Sequence, residues 1–151
     1  MPTAQRHPAA EDHEIRALIE HVARAVRAGD ADALLALCEP DVVVFDLMPP
    51  LIHSGLDAVR AVWAAALEGY AAPLEYEVFR LEVAVDGAVA VAHAVTRFGG
   101  ARRDGTQALI WLRVTWGLKR GRAGWRIAHQ HASVPFDMDS REALVDLAPH
   151  L

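Results

Sequence analysis

The stretch over residues 125–135 constrains the fold of this chain more than any other segment. It reads W-R-I-A-H-Q-H-A-S-V-P, so two interleaved sets of side chains differ in size and polarity. A β-strand places every second side chain on the same face, about 6.5–7 Å apart. In an unbroken strand, one face would begin as core and end as a polar ladder, which predicts a pocket wall, an anion site or a metal site. That face carries Trp125, Ile127, His129, His131 and Ser133.

Helical patterns are concentrated in the first 70 residues. Apolar side chains recur at helical spacing over residues 11–28, which predicts a first helix. Asp30 is expected to cap a second helix over residues 31–38. A sequence that resembles a capping box predicts a third helix over about residues 54–70. A short last helix is expected over residues 139–147.

Most of the remaining chain has the composition of β-strands. The predicted strands cover residues 41–46, 74–85, 88–98, 106–118 and 125–134. Asp86-Gly87 is a strong two-residue hairpin signal, and a longer hairpin loop is expected over residues 99–105. The apolar parity changes near Val78 and Phe79, which predicts a β-bulge that bends the sheet. Helices followed by an antiparallel meander favour an α+β domain with the helices on one face of the sheet.

Composition argues against several classes of function. A chain of 151 residues can form one domain with its own core, and with a net charge of −5 and no long basic run, it is not expected to bind nucleic acid. No apolar segment is long enough to span a membrane or to act as a secretory signal. The single cysteine, Cys38, lies in an apolar run, which favours a buried thiol and a cytoplasmic location.

The motif W-R-I-x-H-x-H-x-S-x-P, as the last strand after a meander, resembles the closing strand of SnoaL-like and related nuclear transport factor 2-like domains. The resemblance covers about residues 11–139, with residues 1–10 as a flexible arm and residues 140–151 as a short helix or tail. It implies a cystatin-like cone, in which a strongly bent antiparallel or mixed sheet wraps around the N-terminal helices and leaves a pocket. Ketosteroid isomerases, polyketide cyclases, dehydratases and a calcium/calmodulin-dependent kinase association domain share this fold, so no single reaction is specified.

Asp46 is the first candidate for catalysis. It stands near the end of the first short strand, where the resemblance implies the general base of a ketosteroid isomerase. The alternative is a strand-end Asp that caps the following loop. His129 and His131 are expected either to act with Asp46 in acid/base catalysis or to seal the cone. Helix one has Val22 where the resemblance implies the oxyanion tyrosine of those isomerases, and residues 105–136 contain no acid. True steroid isomerisation is therefore not expected, unless His129, His131 or Trp111 supply the hydrogen-bond donors instead.

Six further residues are expected to contact a ligand. They are Trp63, Trp111, Arg113, Ser133, His53 and His93. Arg113 lies in the apolar strand L-I-W-L-R-V-T-W, and a buried guanidinium needs an anion, either an internal carboxylate or one on a ligand. The tryptophans have a plainer alternative as core or interface. His129 and His131 are two metal ligands without a fixed third, which Asp46, His53 or His93 would have to supply, so neither metal nor cofactor is predicted.

Three functional classes remain open. The leading interpretation is a domain that binds a small organic molecule in the cone and performs cofactor-free isomerisation, cyclisation, dehydration or water addition. The alternatives are a non-catalytic association module and a ligand-binding protein without turnover. If Trp111, Arg113 and Thr115 line the interior, the opposite strand face becomes an outer apolar stripe, which predicts a homodimer through the outer sheet face. The stripe consists of Leu112, Val114, Trp116 and Leu118.

Overall fold

Three helices and six strands form the fold over residues 8–150, which are the residues that this computed structural model describes. The helices are α1 (Pro8–Ala28), α2 (Ala31–Leu35) and α3 (Gly55–Glu68). The strands are β1 (Cys38–Phe45), β2 (His53–Ser54), β3 (Glu75–Asp86), β4 (Val89–Ala101), β5 (Gln107–Gly121) and β6 (Gly124–Ser133). Of the arm predicted over residues 1–10, residues 8–10 belong to α1 and the rest lies outside the described residues.

The six strands form one mixed sheet in the order β2-β1-β6-β5-β4-β3. Neighbouring strands are antiparallel except β1 and β6, which run parallel and join the first strand of the chain to the last. On what we call the inner face of the sheet, α1 packs against β3 and β6, and α3 packs against β1. The sheet curls around these helices, so the predicted α+β cone is confirmed.

The core lies between α1 and the inner face of the sheet. One side of α1 is fully buried because its apolar residues recur every three or four positions. These residues are Ile15, Ile19, Val22 and Val26. The sheet contributes Trp116, Leu118 and Ile127 to the same cluster. Each large apolar side chain that is buried contributes about 1.5–3 kcal/mol, so this packing holds the helix on the sheet.

An ion pair closes the end of the cone beneath the start of α1, which we call the filled end. Glu11, in the first turn of α1, binds Arg120 of β5, and only 10% of the Glu11 side chain is exposed. The guanidinium also lies 5.4 Å from the ring centre of Trp125 in β6. An acidic side chain in the first turn suits the positive end of the helix dipole. The pair therefore ties α1 to the two strands that form this end.

The sheet bends where β3 carries a β-bulge. Its pairing with β4 shifts between Phe79 and Glu82. The bulge predicted from the change of parity near Val78 and Phe79 is therefore confirmed, and it lies just after Phe79. Arg80, inside the bulge, has a φ of +52°. A bulge increases the local twist of a strand, which helps the sheet to curl.

A second bulge, in β6, changes which side chains face inward. From Ile127 to His129, β6 advances by two residues while β5 advances by one, so Ala128 is an extra residue. Since side chains alternate along a strand, an extra residue moves all later side chains to the opposite face. The prediction of one continuous face along residues 125–133 is therefore wrong.

Two glycines in β4 adopt a backbone conformation that other residues rarely adopt. Gly99 and Gly100 are buried strand residues with φ of +149° and +138°, a region that favours glycine. A Cβ at Gly99 would lie 1.8 Å from the carbonyl oxygen of Ala108 on β5. The loop predicted over residues 99–105 is wrong, because both glycines pair with β5 and the turn covers only residues 102–106.

The segment after β6 contains no helix up to residue 150, so the helix predicted over residues 139–147 is wrong. The carboxylate of Asp137 accepts hydrogen bonds from the backbone N–H groups of residues 139–140 at 2.8–2.9 Å, which forms a tight turn. These bonds hold the pKa of Asp137 below its ordinary value. Further along, the carbonyl of Val145 accepts a hydrogen bond from the N–H of Trp111 at 2.8 Å. The tail thus continues beside β5 where β6 has ended.

The helix boundaries agree with the predictions in part. Asp30 caps α2 as predicted, because its Oδ1 accepts a hydrogen bond from the N–H of Ala33 at 2.9 Å. α2 ends at Leu35 because Cys38 already belongs to β1. The thiol of Cys38 is buried as expected, and burial raises its pKa to about 11. Ser54 precedes α3, but its side chain makes no capping hydrogen bond.

Candidate functional site

The wide end of the cone, which we call the hollow end, contains a cavity of about 200 Å³ between α3 and the inner face of the sheet. Most of its walls are apolar, and they come from α3, from strands β3 to β6 and from the segment after β1. The lining residues include Asp46, Met48, Trp63, Tyr76, Phe98 and Gln130. An apolar cavity with a few polar groups is the usual form of a small-molecule site.

Asp46 reaches the cavity because it follows β1 on the same face as the buried Val42 and Val44. Its Oδ1 accepts a hydrogen bond from the N–H of Met48 at 3.1 Å, while Oδ2 has no hydrogen-bond partner among residues 8–150. The two alternatives for this residue therefore coexist. Asp46 caps the following loop and also presents a carboxylate to the cavity.

His53 supports the loop that carries this carboxylate. It lies buried on β2, and its Nε2 is 3.1 Å from the carbonyl oxygen of Met48. A carbonyl only accepts, so Nε2 carries the proton and donates it. The peptide groups of Met48 are thus held by Asp46 through the N–H and by His53 through the carbonyl. His53 was expected to contact a ligand, but it does not line the cavity.

Gln130 is a candidate that the sequence reasoning missed. Because of the bulge at Ala128, Gln130 and Ala132 line the cavity where the two imidazoles were expected. The indole N–H of Trp116, directly opposite on β5, donates to Oε1 of Gln130 at 2.9 Å. The available signal was the second set of side chains in this strand, in which an amide is followed two residues later by a small alanine.

Aromatic rings form another wall of the cavity. Phe98 of β4 makes edge-to-face contacts with three rings, at 5.5–6.5 Å between ring centres. They belong to Trp63 of α3, Tyr70 of the segment after α3, and Tyr76 of β3. Trp63, expected at a ligand site, is part of this wall. Burial raises the pKa of the Tyr76 phenol above its ordinary value, and the nearby hydroxyl of Thr96 lowers it in part. The phenol therefore stays protonated at neutral pH.

His129 and His131 lie on the outer face of the sheet, which is turned away from α1 and α3. Nδ1 of His129 donates to the carbonyl oxygen of Val43 at 2.8 Å, and His131 is exposed. The two rings contact Phe45 at 4.8 Å and 5.5 Å between centres. Neither imidazole lines the cavity with Asp46, because the bulge in β6 turns both outward.

Four more residues expected at a ligand site also lie on the outer face. They are Trp111, Arg113, Ser133 and His93. Arg113 is exposed, and its Nε donates to Oγ of Ser133 at 3.2 Å, so the expected buried guanidinium is wrong. Trp111 lies 5.3 Å from the ring centre of Phe79 and 5.8 Å from the guanidinium carbon of Arg97.

The outer apolar stripe predicted on β5 is wrong as well. The four residues of that stripe are at most 8% exposed and belong to the core, and some also line the cavity. They are Leu112, Val114, Trp116 and Leu118. The opposite set, Trp111, Arg113 and Thr115, faces outward. The two alternating sets of β5 side chains are as predicted, but the predicted inward and outward sets are exchanged. Both sets contain apolar residues, so the sequence does not indicate which one faces the core.

Neither a metal cluster nor a membrane-spanning helix is found in the part of the chain that the structure describes. Among residues 8–150, no three His, Cys, Asp or Glu side chains are placed to hold a metal ion together. The ring centres of His129 and His131 are 6.5 Å apart. Over the same residues, no helix has both the length and the apolar character that a membrane crossing requires.

The chain belongs to the SnoaL-like domain family, whose sequence profile matches residues 15–137. This match confirms the resemblance that was inferred from the closing strand. Among curated protein sequences, none matches this chain.

Solved structures support the same assignment. A nuclear transport factor 2-like protein of unknown function from Pseudomonas putida KT2440 is 36% identical, over 95% of this chain and 99% of that chain, with a TM-score of 0.83. A ketosteroid isomerase-like protein from Erwinia carotovora atroseptica SCRI1043 is 20% identical, over 79% and 92% of the two chains, with a TM-score of 0.67. The association domain of calcium/calmodulin-dependent protein kinase II from C. elegans is 14% identical, over 84% and 98%, with a TM-score of 0.69. The last two share only the fold.

Proposed function

We propose that this SnoaL-like domain binds a small, neutral and largely apolar organic molecule in the cavity, and that Asp46 transfers a proton in a cofactor-free isomerisation, cyclisation or dehydration. The proposal is supported by one observation above all. Among the described residues, Asp46 is the one charged side chain that lines the cavity. Since no cation lines it, an anionic ligand would face the carboxylate unpaired. A cytoplasmic location is part of the proposal, because the thiol of Cys38 suits a reducing compartment.

The proposed step is proton transfer at a carbon next to a carbonyl group. A carboxylate oxygen of Asp46 takes the proton, and the electron pair of the broken C–H bond moves toward the carbonyl, whose oxygen becomes an enolate. The protonated Asp46 then returns the proton to the same carbon or to another one. The N–H of Met48 holds Oδ1 in place and leaves Oδ2 for this transfer. The enolate oxygen needs a hydrogen-bond donor, and Gln130 and Tyr76 are the candidates in the wall.

The open cavity favours ligand binding over a purely structural role. In an association module the cone has no need of an interior space, and filling it would add packing and stability. Here the walls enclose about 200 Å³ beside a carboxylate and an amide. A ligand-binding protein without turnover would also keep such a space, so the decisive observation is proton transfer itself.

Deuterium exchange into the methyl group of acetophenone, followed by proton NMR in D₂O, tests this proposal. Asp46→Asn keeps the size of the side chain and an oxygen for the N–H of Met48, but it cannot accept a proton. We expect the protein-catalysed exchange rate to fall by about 100-fold or more. Asp41→Asn removes an exposed carboxylate from β1, the strand that precedes Asp46, and should leave the rate unchanged.

Two results would contradict the role of Asp46. One is unchanged exchange in Asp46→Asn. The other is loss of exchange in His129→Ala or His131→Ala, since both imidazoles lie on the outer face. If the wild-type protein binds acetophenone and exchanges none of its protons, the protein belongs to the class of binding proteins without turnover.

We also propose that two copies associate through the outer face of the sheet. This face combines half-buried or exposed apolar side chains, such as Phe45, Val91 and Trp111, with the polar His131 and Arg113. Such a mixture suits a two-fold interface, in which the same surface serves both partners. Light scattering should give the mass of a dimer, and Val91→Asp should shift it toward the monomer. A monomeric wild-type protein at micromolar concentration would contradict this proposal.

A further inference from the structure

The hydrogen bond between Trp116 and Gln130 determines which end of the amide faces the cavity. An indole N–H can only donate, so the oxygen of the amide must lie against it. The amide NH₂ group then points away from the indole. Nε2 makes no hydrogen bond within residues 8–150 and is not among the buried polar atoms that lack a partner, while Gln130 lines the cavity. The NH₂ group is therefore open to the cavity.

The environment of Trp116 keeps this orientation fixed. Trp116 is 0% exposed and is paired on both sides in the sheet, with Ala92 of β4 and Gln130 of β6. Rotation of the amide by half a turn would place its NH₂ group against the indole N–H. Two donors would then face each other, and the indole N–H would be buried without an acceptor, which is costly.

We propose that Trp116 is a positioning residue, which holds the amide of Gln130 with its N–H groups toward the cavity and so selects ligands that present a hydrogen-bond acceptor. The inference rests on the proposed function and specifies the polar end of its ligand. Asp46 supplies an acceptor and Gln130 a donor in the same cavity. The matching ligand is a neutral molecule that has a carbonyl oxygen next to an acidic C–H group.

Two probes of nearly equal shape, acetophenone and ethylbenzene, separate acceptor selection from apolar binding. Each is titrated into the ¹⁵N-labelled protein and followed by NMR. We expect acetophenone to bind about fivefold to tenfold more tightly than ethylbenzene, as one neutral hydrogen bond implies. The side-chain NH₂ resonances of Gln130 should shift with the ketone and stay nearly unchanged with the hydrocarbon.

Two variants remove the proposed selection by different routes. Trp116→Phe removes the indole N–H that orients the amide, and Gln130→Met removes the donor with little change in volume. In both, the preference for acetophenone should fall to about twofold or less, while ethylbenzene should bind as in the wild type. Trp125→Phe is the matched control, because its buried indole N–H has no hydrogen-bond partner among the described residues. This control should keep the wild-type preference.

The outcomes separate this inference from the proposed function. If neither compound binds, both are overturned. If both bind with equal affinity, or if the preference persists in Gln130→Met, only the inference is overturned. If Tyr76→Phe loses the preference for acetophenone and Gln130→Met keeps it, the hydrogen-bond donor is the phenol of Tyr76 instead. If Trp116→Phe does not fold, Gln130→Met and the wild-type NH₂ resonances decide the question.

Discussion

β6 contributes to both the filled end and the hollow end of the cone, but the first contains packed side chains and the second contains a cavity. Before the bulge, β6 contributes Trp125 and Ile127 to the core, beside the partly buried ion pair. After the bulge, the same strand contributes Gln130 and Ala132, and a cavity remains. One extra residue and a change from large to small side chains thus convert core into a candidate site. Packing at one end stabilises the domain, while space at the other is available for a ligand.

The largest expected loss of stability comes from Gly99→Ala, which would damage the hollow end. The new Cβ would lie 1.8 Å from the carbonyl oxygen of Ala108, and alanine is strained at a φ of +149°. We expect the free energy of unfolding to fall by about 3–5 kcal/mol, measured by urea denaturation. Gly121→Ala is the control, since a Cβ there meets nothing within 4 Å. Equal stability of the two variants would show that β4 and β5 do not require a glycine at position 99.

Glu11→Ala, at the filled end, should cause the next largest loss of stability. It leaves Arg120 without its carboxylate in a partly buried position over Trp125. Because Arg120 retains some exposure, we expect a loss of about 2–3 kcal/mol in the free energy of unfolding, less than for a fully buried pair. Asp12 follows Glu11 in α1 and forms an exposed ion pair with Arg16. Asp12→Ala breaks this pair and should lower the free energy of unfolding by less than about 1 kcal/mol. Similar losses for both variants would mean that burial of the first pair contributes nothing.

Ala132→Leu should have the smallest effect on stability and separates the two ends most sharply. Its three added carbon atoms enter the cavity instead of the core, so the free energy of unfolding should change by less than about 1 kcal/mol. Binding of acetophenone should weaken by about tenfold or more, because the site is partly filled. Ala123→Leu, on the exposed turn between β5 and β6, should leave binding unchanged. Undiminished binding in Ala132→Leu would place the ligand outside this cavity.

Much of the fold could be predicted from the sequence because local signals agreed with the tertiary structure. Asp86-Gly87 predicted the hairpin between β3 and β4, and the change of parity near Phe79 predicted a bulge. The helix predicted over residues 139–147 is wrong, because one local turn and one long-range hydrogen bond hold this segment in another conformation. There the carboxylate of Asp137 binds the turn, and the carbonyl of Val145 binds the N–H of Trp111.

The site was harder to predict because a bulge is visible in a sequence only when it changes the hydrophobic pattern. The bulge in β3 changes which alternate positions are apolar, so it is visible in the sequence. The bulge at Ala128 exchanges two sets of alternate side chains between the faces of β6, and either set would suit a pocket. One set holds imidazoles and the other holds Gln130 and a small alanine. The position of Asp46 after a short strand could be predicted because it depends only on local signals, namely a β-rich run followed by two prolines. Its partner in the cavity depends on long-range register, which local signals do not specify.

The position of β6 in the sheet has a consequence for synthesis. β6 is the last of the six strands in residues 8–150, yet it lies between β1 and β5. On a ribosome, the strands on either side of it emerge first and wait with unpaired backbone edges, which are prone to join other chains. Only when residues 124–133 leave the exit tunnel are both edges covered and Gln130 brought beside β1, which Asp46 follows. The interval of greatest aggregation hazard therefore lasts until residues 124–133 have emerged.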